Sequence, residues 1–363
     1  MASLRRGRRI GPAGGVHPPG KMRSPFVTPT LSARPIDVCG IENAILDLLV
    51  RTDDSTVASL GLHKGTMRLV ETAEQARILE AVNGLDPEVE AGGSCANVLR
   101  VAALLGGVAS YSSAVGLDAN GAAFADALGR CGVRDHVARV EGRTGTSVIL
   151  VTPDGERTMN THLGVCRQYR PEHVPLEEIR SSKIFFTTGY IFDTPNQIRA
   201  IERALDVARG AGVRIALDLA DRFVMERSRA HLERQLGLGI DLLLANAEES
   251  RALTGLDAPA AARELSRRVL IASVTDGANG AYIGSGGEVE HVPARRVEVV
   301  DTTGAGDCFN AGFLRGLVAG LPLRRCGELA TLLAAETITH LGVKLGASTV
   351  EAARAIGREA QQH

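Results

Sequence analysis

The sequence predicts an α/β protein built on a doubly wound, mostly parallel central sheet with a small β lid. Two observations carry that prediction. From residue 180 onward, short apolar strands alternate with amphipathic helices, several of which stop at glycine. This is the rhythm of a parallel sheet covered on both faces. The 363 residues are 44% hydrophobic, enough for the core such a sheet needs. Ligands of these sheets sit beyond the carboxyl ends of the strands, so chemistry is expected in the loops that follow strands.

Residues 1–35 stand apart, with seven basic residues, six prolines, no acid and no apolar period. They are expected to form a disordered arm. Arg-rich, acid-poor starts also occur in organelle transit peptides, but a flexible tail on a cytoplasmic protein is the simpler expectation. Residues 36–363 then form one domain.

Within that domain, 36–50 reads as a strand and 56–70 as a polar–apolar mixture of lid or hairpin type. A helix follows over 74–82 by its 3.6 spacing. Residues 91–107 are a glycine turn and a helix, with Ser94 as candidate cap and Gly106 and Gly107 as its end. A strand over 109–116, a helix over 121–133 and a hairpin over 146–164 come next, the hairpin turning at Pro153-Asp154-Gly155. Segments 51–70 and 143–164 make up the expected lid. Strands over 183–192 and 213–221, and a strand leading into a loop over 240–250, are separated by helices over 196–212 and 225–236. Two strands around a turn occupy 270–284, and helices are expected within 301–320 and 331–342.

Composition excludes several functions. Aromatic residues are 3% of the chain and tryptophan is absent, which argues against a stacking platform for single-stranded nucleic acid. The net charge of −1 offers no broad electrostatic footprint for nucleic acid. No run approaches the ~18 apolar residues of a membrane span. Six cysteines are scattered without a C-x-x-C pair or a His/Cys cluster, so neither a zinc site nor a disulfide frame is expected.

The stretch DTTGAGDCFNAGF, 301–313, carries the most chemistry. Glycines ahead of a helix turn the backbone tightly and aim several N–H groups one way. A helix N-terminus adds about half a positive charge, and together they make an anion site. Asp307 inside that site would repel a bound phosphate. It makes sense if it takes a proton from a hydroxyl attacking the phosphate. Spacing alone leaves a second reading open, an ordinary cap on first-turn N–H groups. No G-K-[ST] follows, so this is not a Walker loop, and AGGSCANV does not fit the dinucleotide pattern G-x-G-x-x-G.

The same stretch closely resembles the C-terminal signature of the ribokinase-like, or PfkB-type, carbohydrate and nucleoside kinases. AGGSCANVLRVAALLGG is similar to that family's G-G-x-x-x-N signature, and VGLDANGAAFADALGRCGV to its V-G-x-D-x-x-G segment. DLLLANAEES resembles its N-x-x-E segment, and TDGANGAYI its T-x-G-x-x-G segment. The motifs come in the family's order and span roughly 36–350.

The resemblance implies an ATP- and Mg²⁺-dependent kinase. Asp307 would be the base, and Gly304, Ala305 and Gly306 the anion hole. Asn246 and Glu249 would organise Mg²⁺, through water as suits that ion; without the other motifs they read as a helix-start cap. Thr275 and Gly277 would line the ATP phosphates, with Gly280 there or only in the hairpin turn. Asp301 would join a monovalent cation site, K⁺, such as family members have. GIENAILD, 40–47, resembles the start of the adenosine-kinase branch, where Asn43 and Asp47 would face a ribose. Gly92, Gly93 and Asn97 would complete the sugar site. Glu42 departs from that branch, where glycine is usual. Arg157, on the expected lid, reads as a substrate contact or a solvated hairpin arginine.

Three readings of the acceptor and role follow. The first is a ribonucleoside, adenosine above others, supported also by LGLHKGTMRLV and GERTMNTHLG. A furanose sugar such as ribose or fructose is the second, although LDLADRF departs from the D-P-N-x-R run of fructokinase and ketogluconate kinase relatives. The third is a non-catalytic nucleoside-binding regulator, against which the intact Asp307, Asn246 and Glu249 argue. Candidate base-stacking aromatics are Phe192, Phe223 and Tyr190, each of which also reads as core. The expected partners are small molecules and ATP, in a monomer or homodimer.

Overall fold

The protein is described here by a computed structural model covering residues 31–359. Most of the expected arm lies outside the described residues. Its last part is docked: Leu31 packs on the main core, and the Arg34 guanidinium donates to the carbonyls of Arg180 and Ala211.

The strands are Ile36–Ile41 (β1), Ile45–Arg51 (β2), Met67–Leu69 (β3), Glu88–Gly92 (β4), Ala109–Ser112 (β5), Ala114–Gly116 (β6), Arg134–Asp135 (β7), Ala138–Val140 (β8), Gly145–Val151 (β9), Arg157–His162 (β10), Ser182–Thr188 (β11), Arg214–Asp218 (β12), Leu242–Asn246 (β13), Ile271–Thr275 (β14), Ala281–Ser285 (β15) and Glu288–Val292 (β16). The large sheet runs β16-β15-β14-β13-β12-β11-β1-β5-β7. It is parallel from β14 to β7, and the β15–β16 hairpin adds an antiparallel edge. Its central strands are buried on both faces, as parallel strands must be. One face carries the helices Ser94–Leu104, Ala305–Ala319 and Leu323–Thr337. The other carries Pro195–Gly210, Arg222–Gly239 and Ala258–Leu265.

A second sheet runs β3-β10-β9-β2-β4. Its outward residues Val50, Val148 and Leu150 pack on Val57 and Leu60 around helix Asp54–Ser59, and on Ile78 of helix Thr72–Ala81. Its inward residues Leu49, Ile149, Val151 and Met159 form a separate cluster. The alternation is the period-two pattern of a sheet with two covered faces.

Several sequence expectations shift. Residues 36–50 are not one strand: Glu42, Asn43 and Ala44 break the run, and the chain crosses there from the large sheet to the small one. Residues 56–70 are not a hairpin; they hold the end of one helix and the short β3. The small sheet also draws strands from 45–51 and 88–92, beyond segments 51–70 and 143–164. Residues 247–254 form a helix rather than a loop, and a helix begins at Leu323, ahead of 331. Ser94 does not cap its helix. Gly93 holds the cap position at φ 89°, and the Ser94 hydroxyl is free to act elsewhere.

Gly280 shows why the β14–β15 connection needs glycine. It sits at φ 94°, and a Cβ there would lie 2.1 Å from the Val292 carbonyl oxygen. Gly277, at φ 50°, has open space around it. Gly280→Ala is therefore expected to cost about 1–3 kcal/mol, and Gly277→Ala nearer ~1 kcal/mol. Urea unfolding of both variants checks the order, and equal losses would refute the steric account.

Candidate active site

The functional loops meet where the parallel strands end. Glu42 follows β1, Tyr190 follows β11, Asp218 ends β12, Asn246 ends β13 and Thr275 ends β14. They line a cavity of about 320 Å³ together with Asn43, Asp47, Gly93, Ser94, Asn97, Glu249, Gly306, Asp307 and Asn310. Its roof comes from the small sheet and is largely apolar, with Ile45, Met67, Leu69, Met159 and Leu163. A second cavity of about 570 Å³ adjoins it and shares Thr275 and Gly306. Its walls are Gly277, Ala278, Gly280, Val297, Val299, Ala305, Phe309, Thr331, Ala334 and Ile338, with Arg295 and Arg296 beside them. One cavity is polar-floored and the other mainly apolar, and Gly306 stands between them.

Asp307 is held with both oxygens satisfied. Ser94 Oγ donates to Oδ1 at 2.6 Å and Asn97 Nδ2 to Oδ2 at 2.9 Å. Arg100 Nη1 donates to Asn97 Oδ1 at 3.3 Å, which turns the Asn97 amide nitrogen toward Asp307. The cap reading of Asp307 does not hold, because its side-chain partners are on the facing helix. Burial pushes its carboxyl above the usual range, and the bonds from Ser94 and Asn97 pull it partly back.

The loop before it suits an anion. Gly304 sits at the helix N-terminus at φ 72°, and a Cβ there would meet Val343 Cγ2 at 2.3 Å. Gly306 has nothing within 4 Å of the place a Cβ would take. Gly306 lines both cavities at the first turn of this helix, where N–H groups lack a carbonyl partner four residues back; that of Ala305 donates to the Thr302 carbonyl at 3.3 Å.

The expected sugar residues gather with one qualification. Gly92 lies against Asp47, whose Oδ2 would be 2.2 Å from an added Cβ. Gly93 approaches the Asn43 carbonyl, 2.8 Å from such a Cβ. Asn43 reaches the wall, but its amide is engaged: Oδ1 accepts from Gln197 Nε2 at 2.7 Å and Nδ2 donates to the Tyr190 carbonyl at 3.1 Å. One amide hydrogen remains for a ligand. Burial pushes Asp47 up to about 7, with Glu90 adding and Arg157 opposing. Burial likewise pushes Glu42 up to about 8, against the Cys95 N–H and with the Asp307 charge.

Asn246 and Glu249 form a reciprocal cap on helix Ala247–Thr254. Glu249 N–H donates to Asn246 Oδ1 at 2.9 Å, and Asn246 N–H to Glu249 Oε2 at 2.8 Å. The cap and the cavity role therefore coexist. Asp218 accepts from Asn310 Nδ2 at 2.8 Å, and burial raises both Asp218 and Glu249. Five carboxylates, Glu42, Asp47, Asp218, Glu249 and Asp307, line this cavity, and no lysine or arginine does among the described residues. Such hard-oxygen surroundings suit a hydrated Mg²⁺ carried with a nucleotide. Direct ligation by three side chains is not available: among the described residues no group of three or more His, Cys, Asp or Glu is placed to hold a metal.

Asp301 and Arg157 meet each other. Asp301 is already partnered. It is 6% exposed and ion-paired with the Arg157 guanidinium, and it accepts from Thr303 N–H at 3.0 Å and Gly342 N–H at 2.8 Å. Its charge is met by an arginine. Arg157 itself is 6% exposed, not a solvated hairpin residue, because it reaches from β10 into this buried acid. Of the three candidate aromatics only Tyr190 lines the cavity; Phe192 is core against His231, and Phe223 is 61% exposed. Asp218 and Asn310 went unassigned in the sequence, and Ser94 was read only as a helix cap. The one available signal was spacing, Asn310 being one helical turn beyond Asp307.

Fold and site together define a small-molecule kinase, with two cavities meeting at one helix N-terminus. The chain belongs to the pfkB family of carbohydrate kinases, whose pattern it matches over residues 55–350. It is 32% identical over 249 residues to a protein of Archaeoglobus fulgidus named an uncharacterized sugar kinase, covering 67% of this chain and 96% of that one. A nucleoside kinase of Methanothermobacter thermautotrophicus is 30% identical, over 70% of this chain and 80% of its own. The crystal structure of an adenosine kinase from Sinorhizobium meliloti superposes with a TM-score of 0.81 at 36% identity, covering 88% of this chain and 99% of that one.

Proposed function

We propose that the protein transfers the γ-phosphoryl group of ATP to the 5′-hydroxyl of a ribonucleoside, adenosine first among them, giving AMP. The observation that carries this reading is Asp307, oriented by Ser94 and Asn97 where the two cavities meet. ATP lies in the larger cavity with its phosphates along Thr275, Gly277 and the turn at Gly306. The acceptor lies in the smaller one, its ribose over Asp47, Gly92, Gly93 and Asn97. Its base lies under the apolar roof of Ile45, Met67, Leu69 and Met159. The acceptor oxygen attacks phosphorus as the bond to ADP breaks, and Asp307 takes the proton. The N–H groups at Gly304, Ala305 and Gly306 receive charge from the moving phosphoryl group. Asn246 and Glu249 are the residues to hold Mg²⁺ through water; when bound, that ion neutralises phosphate charge. The small sheet acts as a lid that keeps water from the γ-phosphate.

A furanose sugar is the second reading, favoured by the carboxylate floor and by relatives named sugar kinases. Coupled ADP release with ATP–Mg²⁺ and equal concentrations of adenosine, ribose and fructose separates the two. Turnover strongly favouring adenosine supports the nucleoside reading, and turnover with a free sugar alone overturns it.

The buried carboxylates also set a pH dependence of stability. Glu42 and Asp47 are pushed up to about 8 and about 7, so each folds best protonated. Their contribution is complete below the usual carboxylate range near ~4 and is lost as pH rises through their raised values. The ligand-free protein should therefore unfold at lower urea at pH 8 than at pH 5. A midpoint that rises over this interval would show these groups ionised in the fold.

A further inference from the structure

Glu42 has no part in the reaction above, yet it is 2% exposed and lines the acceptor cavity. It stands in the three-residue break where the chain leaves β1 for β2. Oε2 accepts from the Cys95 N–H at 2.7 Å and Oε1 from the Asn43 N–H at 3.3 Å. Its carbonyl accepts from the Tyr111 hydroxyl at 3.0 Å. Backbone and side chain are thus both tied down. Cys95 is the second residue of helix Ser94–Leu104, and its N–H has no partner within the helix. The cap residue, Gly93, has no side chain to satisfy it. The Glu42 carboxyl supplies from another element the acceptor that this N–H needs. Beside Cys95 on the same turn, Ser94 and Asn97 donate to the two oxygens of Asp307. A run of hydrogen bonds and one helical turn therefore connects the crossing between the sheets to Asp307.

We infer that Glu42 is a positioning residue, which fixes the first turn of helix Ser94–Leu104 so that Ser94 and Asn97 hold the Asp307 carboxylate toward the acceptor. The inference rests on reading Asp307 as the base. Glu42 acts through the helix and not on substrate. A glutamine keeps one oxygen for the Cys95 N–H and preserves much of the effect; an alanine leaves that N–H orphaned and the turn free to shift. Misplacement of a reacting group by even 1 Å is costly to rate.

The test is steady-state kinetics on Glu42→Ala, Glu42→Gln, Asp307→Asn and the double variant Glu42→Ala/Asp307→Asn, using the acceptor that turns over best. Glu42→Ala should lower kcat by about tenfold with both KM values within about twofold. Glu42→Gln should recover kcat to within about threefold of the unaltered protein. In the Asp307→Asn background, removing Glu42 should cost less than about twofold, since no base remains to orient. Should Glu42→Ala not fold, Glu42→Asp, with its carboxylate withdrawn by one methylene, takes its place with the same expectation. Three outcomes overturn the inference: a kcat for Glu42→Ala within twofold of the unaltered protein, a loss confined to acceptor KM, or an equal loss in both backgrounds. Full kcat in Asp307→Asn alone overturns the base reading and the inference with it; the single variant separates that failure from failure at Glu42.

Discussion

Asp307→Asn should lower kcat by about 10²–10⁴-fold, the usual worth of a positioned general base, while ATP still binds. The asparagine matches the carboxylate in shape: its carbonyl oxygen can accept from Asn97 Nδ2, and its NH2 can donate to the Ser94 hydroxyl, which turns to accept. What it loses is the ability to take a proton. Burial already works against the charged form of Asp307, so the group is a stronger base here than in water. In the unaltered protein this raises the acid limb of kcat/KM above the ordinary carboxylate range, with activity falling as pH drops through it. A binding measurement with a non-hydrolysable ATP analogue, beside kcat, separates the two effects. Unchanged kcat would remove Asp307 from the mechanism, and lost nucleotide binding would show that the loop had collapsed.

Arg157→Ala should destabilise the protein by about 3–5 kcal/mol, the range for breaking a buried pair from one side. The guanidinium and the Asp301 carboxylate are 6% and 3% exposed, so water cannot replace the lost partner. The charge left behind lies at the start of the 301–307 loop, and Gly342 and Thr303 N–H groups only partly answer it. The pair also joins β10 of the small sheet to the loop that carries Asp307. Arg157→Met with Asp301→Asn should cost clearly less than Arg157→Ala, because no unpaired charge is then buried. Urea unfolding reads both. A loss under about 1 kcal/mol for Arg157→Ala would place the pair among screened surface pairs.

Much of this was legible in the residue order because it is local. Glycine before an apolar run marks a helix start, so DTTGAGDCFNAGF announced an anion loop, and the run of strand and helix after 180 announced the sheet. Spacing alone left Asp307, Asn246 and Glu249 open to plain capping roles; it was the resemblance to the family's motifs that implied one site for them and Thr275, and all four line one cavity. Asn97 and Ser94 differ. Their bonds to Asp307 span 210 and 213 residues, and no local pattern encodes a contact of that length.

The tertiary structure alone decided which of two local roles each residue takes. Asp307 could have capped its own helix; the facing helix supplies better donors, so it does not. Asn246 and Glu249 do cap theirs, and the cap is what faces them into the cavity. Glu42 interrupts an apolar run that otherwise reads as one strand, and the fold puts it at the crossing between two sheets, where it accepts from the Cys95 N–H. Arg157 reads as a substrate contact or as solvated in a Gly-Glu-Arg-Thr turn, because charged residues near hairpins are usually exposed; pairing with the buried and sequence-distant Asp301 rules out the solvated reading. Local chemistry in the sequence determined the elements and the glycine-rich loop. Long-range pairing, which depends on how the elements pack, determined how that loop is held.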